Sequence, residues 1–225
     1  MDVTNAIRNR RSVRAFTHTR VDKDIITDIL TKARWSPSGG NLQPWTVIVV
    51  TGDEKENVSK LALSALAANP SGEDDEYPIY PNPITEPYRS RQFEVGAQLY
   101  ELMGIERKDK EGRQKFVTDN LNFFGAPVGL FFVIDRAMGR GQWAHMGMFM
   151  QSIALIAYEQ GLGTCMQEVW ALVRKSLHAH FNLGDDQILY CGMSLGYIDS
   201  TARVNELQPN RVDVGEFVTF LGEFT

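Results

Sequence analysis

Apolar residues recur at helical spacing over residues 22–35, "DKDIITDILTKARW", where Ile25, Ile26, Ile29, Leu30 and Ala33 share a face and Asp22 stands where a helix start is capped. Helical patterns also fit "DEKENVSKLALSALAA" (53–68), "SRQFEVGAQLYELMGI" (90–105), "KEGRQKFVTDNLNF" (110–123), residues 143–160 and "ALVRKSLHAHFN" (171–182). Short β-branched or aromatic runs read as strands: "WTVIVVTG" (45–52) and "PVGLFFVID" (127–135), both expected to be covered on two faces, then "GLGTCMQEV" (161–169) and "QILYCGMSLGY" (187–197). The order of these elements is mixed α+β, with no internal repeat and no low-complexity tract.

Two segments break the pattern. "NPSGEDDEYPIYPNPITEPY" (69–88) is a loop rich in proline, tyrosine and acid, long enough to be functional. The tail "VNELQPNRVDVGEFVTFLGEFT" (204–225) is a loop followed by an apolar extended piece, which needs a sheet edge or a partner to pack on.

Composition narrows the reading. At 225 residues and 43% hydrophobic content the chain can bury one sizeable core. Its formal charge of −5 offers no global field for nucleic acid or an anionic membrane. The apolar stretch "WAHMGMFMQSIALIAYEQGLG" is interrupted by His145, Gln151 and Glu159, and so reads as a buried core helix instead of a membrane span. Two cysteines, Cys165 and Cys191, lack metal spacing or scaffold density, and the N-terminus lacks a signal-peptide core; a cytoplasmic location is expected.

Three constellations could carry chemistry. "RNRRSVR" sets Arg8, Arg10, Arg11, Ser12 and Arg14 within seven residues, which suits a phosphate as well as it suits a solvated basic helix end. "PSGGNLQPW" (37–45) combines rigid Pro37 and Pro44, two glycines that admit a ligand close to the backbone, and the amides of Asn41 and Gln43. A helix cap followed by a turn would use the same residues. "GLGTCMQE" puts Gln167 and Glu168 just after Met166. No dinucleotide fingerprint, P-loop or nucleophile elbow occurs, and the four histidines have no metal-ligand spacing. A chain without an acid, base or nucleophile set draws its chemistry from a cofactor.

Taken in order, "RRSVRAF", "SPSGGNLQPW", "GLGTCMQE" and "NELQPNRVDV" resemble the nitroreductase family of FMN-dependent oxidoreductases over nearly the whole chain. The segments "EPYRSRQFEVGAQLYELMGIERKDK" and "NLNFFGAPVGLFF" further resemble the subgroup that acts on nitrobenzoates and other nitroaromatics. The resemblance implies an α+β fold with a central, mostly antiparallel sheet flanked by helices, built as an intertwined homodimer. Residues 1–225 would form one domain, of which 204–225 wraps the partner subunit. It also implies that Arg10, Arg11, Ser12 and Arg14 hold the FMN phosphate and reach the pyrimidine edge of the ring. Pro37, Ser38, Gly39, Asn41 and Gln43 would lie along the ring and ribityl chain, Met166, Gln167 and Glu168 would bring a backbone amide to flavin N5, and Arg211 would grip the phosphate. Pro209 and Val169 stand where some members carry a cation and a glycine. The expected activity is hydride transfer from NAD(P)H through FMN to a nitroaromatic acceptor, with Tyr88, Phe123, Phe124 and the tyrosine-proline loop selecting it by stacking. A quinone, enone or halogenated phenol as acceptor, and a flavin-binding sensor without turnover, are the competing readings.

Overall fold

The apolar run at β2 (Val128–Asp135) is the centre of the fold. A computed structural model describes residues 2–73 and 76–224. In it β2 pairs antiparallel with β1 (Thr46–Thr51) on one side and β4 (Gln187–Tyr197) on the other, and β3 (Leu162–Gln167) pairs antiparallel with β4. The sheet order is therefore β1-β2-β4-β3. Asp74 and Asp75 of the acidic loop, and Thr225 at the end of the expected extension, lie outside the described residues.

Seven α-helices flank the sheet among the described residues: α1 (Val3–Asn9), α2 (Lys23–Ala33), α3 (Gly52–Ala68), α4 (Tyr88–Leu102), α5 (Lys110–Leu121), α6 (Arg140–Glu159) and α7 (Arg174–His180). The α2 stripe behaves as its spacing predicts, burying Ile26, Ile29 and Ala33. Asp22 acts differently from expectation: its backbone carbonyl accepts from Ile25 and Ile26 N–H, while its side chain makes no cap bond. α1 carries no legible apolar stripe because it buries only Ala6; it starts where the Asp2 side chain accepts from Asn5 N–H at 2.7 Å.

Side-chain alternation along β2 builds two cores. Leu130, Phe132 and Ile134 face α2 and α6, meeting Ile29, Met146 and Ile153, whereas Phe131 faces Trp170, Val58 of α3 and Leu177 of α7. β2 is thus covered on both faces, as its unbroken apolar run predicts. β1 is not. It is an edge strand with Val49 39% exposed and only Val50 buried, so the same β-branched composition serves a half-exposed position. No helix among the described residues is long and apolar enough to cross a membrane.

Among the described residues the tail pairs with no strand of its own chain. It forms single 3₁₀ turns at Arg203–Glu206 and Val214–Glu216 and leaves Phe217, Phe220, Leu221 and Phe224 exposed.

One close approach places the N-terminal segment. Gly163 of β3 lies directly opposite Gly196 of β4, and this pair of missing side chains lets Val13 and Phe16 lie flat on the sheet. A Cβ on Gly163 would sit 2.6 Å from Val13 Cγ2 and 2.8 Å from Ile198 Cγ1; one on Gly196 would sit 2.6 Å from Pro127 Cδ. Gly163→Ala is expected to cost about 1–3 kcal/mol through overpacking, lowering Tm by roughly 2–4 °C per kcal/mol. An unchanged melting curve would mean that the N-terminal segment yields freely and is not fixed by this contact.

Candidate functional site

From Arg10 to Phe16 the chain runs extended beside β3, with Val13 N–H donating to Thr164 O at 2.9 Å and Ser12 bridging Thr164 in parallel. Val13 turns into the core, while the Ser12 hydroxyl, Arg14 and Arg10 gather around the Cys165 thiol. Burial pushes that thiol's pKa up, opposed by Arg14, Ser12 and Arg10, so Cys165 stays a protonated packing group. Arg11 is directed elsewhere and donates to Asn205 O at 2.8 Å.

Asn205 organises this segment and was not singled out by sequence reasoning. It is 7% exposed; its Oδ1 accepts from Arg14 N–H at 2.8 Å, and its Nδ2 donates to Ala15 O at 2.8 Å and Asp199 O at 2.9 Å. A polar residue between Val204 and Leu207 in "RVNELQP" is the only signal the sequence holds for it.

Arg211, from the opposite end of the chain, lies near enough for its charge to act on Arg10. Burial and, next, the like charge of Arg211 lower the Arg10 pKa, but a guanidinium stays charged, so the two cations repel. Among the described residues no carboxylate pairs with either. The Arg211 guanidinium meets only carbonyls, donating to Pro209 O at 2.8 Å and Asn210 O at 3.0 Å. Pro209, where a second cation stands in some family members, thus contributes a carbonyl that orients Arg211. An anion between the two arginines would relieve the repulsion, which is the chemistry of a terminal phosphate.

β3 ends beside this cluster. Met166 is 40% exposed on the open edge of the sheet. Gln167 points inward and is 2% exposed. Its Nε2 donates to Asn120 O at 2.6 Å and Asn120 Oδ1 at 2.7 Å, and its Oε1 accepts from Ser194 Oγ at 2.8 Å. The Gln167 side chain is therefore fully engaged within the fold, and its backbone pairs with Gly192 of β4, so the outward backbone groups here are those of Met166 and of Glu168 just past the strand. Glu168 is exposed and opens the 3₁₀ turn Glu168–Val173; partial desolvation of its carboxyl raises its pKa. Val169 packs against the second core, where a glycine would leave a gap.

The loop at residues 37–43 is built as a rigid turn. Ser38 Oγ accepts from Gln43 N–H at 2.9 Å, and Ser38 O accepts from Asn41 N–H at 3.0 Å. Asn41 (φ 55°) and Gln43 (φ 50°) occupy the left-handed region, a strain of about 1–3 kcal/mol for each residue that clusters at ligand sites. Pro37, Gly39, Asn41 and Gln43 are exposed and Ser38 half-buried. The loop rests on α6, with Ser36 Oγ donating to Ser152 Oγ at 2.7 Å and Gly39 N–H directed at His145 Nδ1, 3.5 Å away. It leads into β1, whereas the cationic cluster borders β3, at the opposite edge of a sheet about 14 Å across. Among the described residues no hydrogen bond or ion pair joins loop and cluster.

The expected acceptor-selecting aromatics divide. Tyr88 is 62% exposed on the first turn of α4, with Arg91 5.9 Å above its ring. Phe123 and Phe124 do not match the expectation. Phe123 is fully buried, 4.6 Å from Trp170 and 5.7 Å from Phe131, and Phe124 is 7% exposed beside Phe116, so neither offers a ring face for stacking. Tyr77 is likewise an anchor, with its hydroxyl donating to Tyr190 O, Trp143 edge-on at 5.0 Å and Arg174 4.4 Å over its ring. Burial raises its pKa far above the usual phenol range. His178 and His180 point apart, to Gly184 O and Glu54, and no metal-binding cluster occurs among the described residues.

Comparison with known proteins agrees with this geometry. The model of the Nitroreductase family matches residues 7–197. The chain is 39% identical to the chloronitrobenzene nitroreductase of Comamonas testosteroni over 98% of its own length and 97% of the relative's. It is 38% identical to the nitrobenzene nitroreductase of Ectopseudomonas oleovorans over the same shares. Among solved structures, the FMN and NADPH-dependent nitroreductase NfnB from sphigopyxis sp. strain HMH superposes with a TM-score of 0.96 at 43% identity, covering 99% of this chain and 100% of that one. Sequence, strand order and cationic cluster converge on one conclusion: the chain belongs to the nitroreductase family.

Proposed function

We propose that this protein is an FMN-containing, NAD(P)H-dependent oxidoreductase that reduces nitroaromatic compounds. The observation that carries the reading is the cationic segment beside β3, where Arg10, Ser12 and Arg14 gather at Cys165, the charge of Arg211 acts on Arg10 and, among the described residues, no carboxylate pairs with Arg10 or Arg211. The names of the relatives support the nitroaromatic acceptor.

Arg10 and Arg211, with the Ser12 hydroxyl, hold the phosphate by charge-assisted hydrogen bonds. Arg14, fixed through its backbone to Asn205, places a cation near the pyrimidine edge, where reduced flavin gathers negative charge. The Met166–Glu168 backbone borders the ring. Bound FMN would supply hydride transfer at N5 from NAD(P)H to the nitro group, giving nitroso and hydroxylamine products. The chain holds no glycine-rich nucleotide cradle, so reductant and acceptor occupy the same face in turn, which makes the kinetics double-displacement.

The homodimer belongs to the same proposal. Loop 37–43 and the cationic cluster lie at opposite sheet edges of one protomer, so a second copy brings its loop to the cluster and completes the site. Trp35 is 82% exposed beside that loop, and the aromatic tail, with Leu221 84% exposed, has no cover within its own chain. Both surfaces call for burial against a partner.

Four experiments test this reading. Denatured protein should release FMN and no FAD, and reciprocal plots against NAD(P)H at several nitroaromatic concentrations should be parallel; intersecting lines would establish a second substrate site. Arg211→Ala should weaken FMN binding about 10- to 100-fold, the scale of one charge-assisted bond at roughly 1.5–3 kcal/mol. The same variant should not lower the Tm of flavin-free protein, because it removes a repulsion; a destabilised apo-variant would show that Arg211 serves the fold. Deletion of residues 212–225 should give monomers that retain little FMN, and a flavin-loaded monomer in light scattering would refute the shared site.

A further inference from the structure

We propose that the buried Gln167 carboxamide, through its hydrogen bonds to Asn120 and Ser194, is the positioning residue that fixes the Met166–Glu168 backbone against the flavin ring. The inference rests on the FMN reading above and concerns how that ring is tuned. Gln167 spends both amide hydrogens on Asn120, at the last turn of α5, and accepts from Ser194 of β4, which is fully buried. No donor is left to reach a ligand.

Position makes this network more than packing. Gln167 is the final residue of β3; its neighbours Met166 and Glu168 are exposed, and a 3₁₀ turn starts immediately after it. A strand end on an open sheet edge has ladder bonds on one side only, here to β4, and would otherwise fray. The carboxamide adds a third element, α5, to the two strands. It locks the strand end from below, fixing the direction of the Met166 and Glu168 backbone amides, which lie outside the ladder to β4.

A fixed N–H dipole stabilises the electron-rich reduced ring more than the oxidised one, and a wandering dipole does so less. Loosening the network therefore lowers the flavin potential, while the phosphate grip of Arg10 and Arg211 is untouched. Purely structural packing would lower stability and leave the potential where it was.

The test uses the holoenzyme, with FMN affinity from fluorescence titration, midpoint potential from reductive titration and stability from thermal unfolding. Ser194→Ala removes one bond and Gln167→Met removes all three at similar volume. Each is expected to keep FMN affinity within about threefold and to lower the preference for reduced over oxidised flavin about tenfold, which is about 30 mV for a two-electron couple. The double variant should shift no further than Gln167→Met, because both substitutions break one shared network. Unchanged potentials in folded, flavin-loaded variants would overturn this inference alone. If Gln167→Met does not fold, Ser194→Ala decides the matter. A wild-type chain that takes up no FMN would overturn the flavin reading, and this inference with it.

Discussion

The like charges of Arg10 and Arg211 oppose one another, and separate contacts hold the two segments that carry them. Val13 and Phe16 lie over the facing glycines of β3 and β4, which fixes the strand that carries Arg10, Ser12 and Arg14. Asn205 satisfies the backbone of that strand and the carbonyl of Asp199 at once. Pro209 and Asn210 turn their carbonyls onto Arg211. Each device costs conformational freedom or packing volume, and the common product is a set of cations of which, among the described residues, neither Arg10 nor Arg211 pairs with a carboxylate.

The sheet separates two functions spatially. Its central strands, β2 and β4, are buried on both faces and supply rigidity, whereas its edges carry the chemistry: β3 borders the cationic cluster and β1 follows the strained loop. Left-handed Asn41 and Gln43 keep that loop presented outward in advance of any ligand. The proposed pairing of two copies would bring one protomer's loop to its partner's cluster, and the exposed aromatic tail supplies a surface for it.

Patterns that report burial were legible in the sequence; patterns that report partnership were not. The stripe of α2 and the run of β2 reveal their faces because periodicity follows from where water is excluded. β1 has the same β-branched composition as a central strand, since an edge also favours such residues, so its exposure is decided by the neighbour it lacks. The arginine-serine cluster was readable as charge, yet the approach of Arg211 across two hundred residues depends on tertiary folding. Gln167 was expected at the flavin through the family resemblance; half-buried Asn120 and buried Ser194 draw its side chain inward. Phe123 and Phe124 sit in a turn with φ of 54° each, a conformation that apolar residues rarely take and that no sequence rule anticipates.

The acidic loop after α3 is stitched down over its first half. Glu73 accepts from Ser176 N–H at 2.9 Å and from its hydroxyl at 2.5 Å, Glu76 forms a two-pronged pair with Arg136 at 2.7 and 2.8 Å, and half-buried Tyr77 packs among Trp143, Tyr190 and Arg174. Beyond Tyr77 the chain runs mostly exposed until α4 begins at Tyr88. Evolution therefore meets a hinge between two regimes in a single loop. Changes at Glu73, Glu76 or Tyr77 remove charged hydrogen bonds or a half-buried aromatic, and changes at 85–87 disturb the start of α4, where Glu86 accepts from Ser90 and pairs with Arg89. Over 78–84, between these two anchors, a longer loop carries only a slow logarithmic cost, so its length can change while the scaffold beneath stays the same.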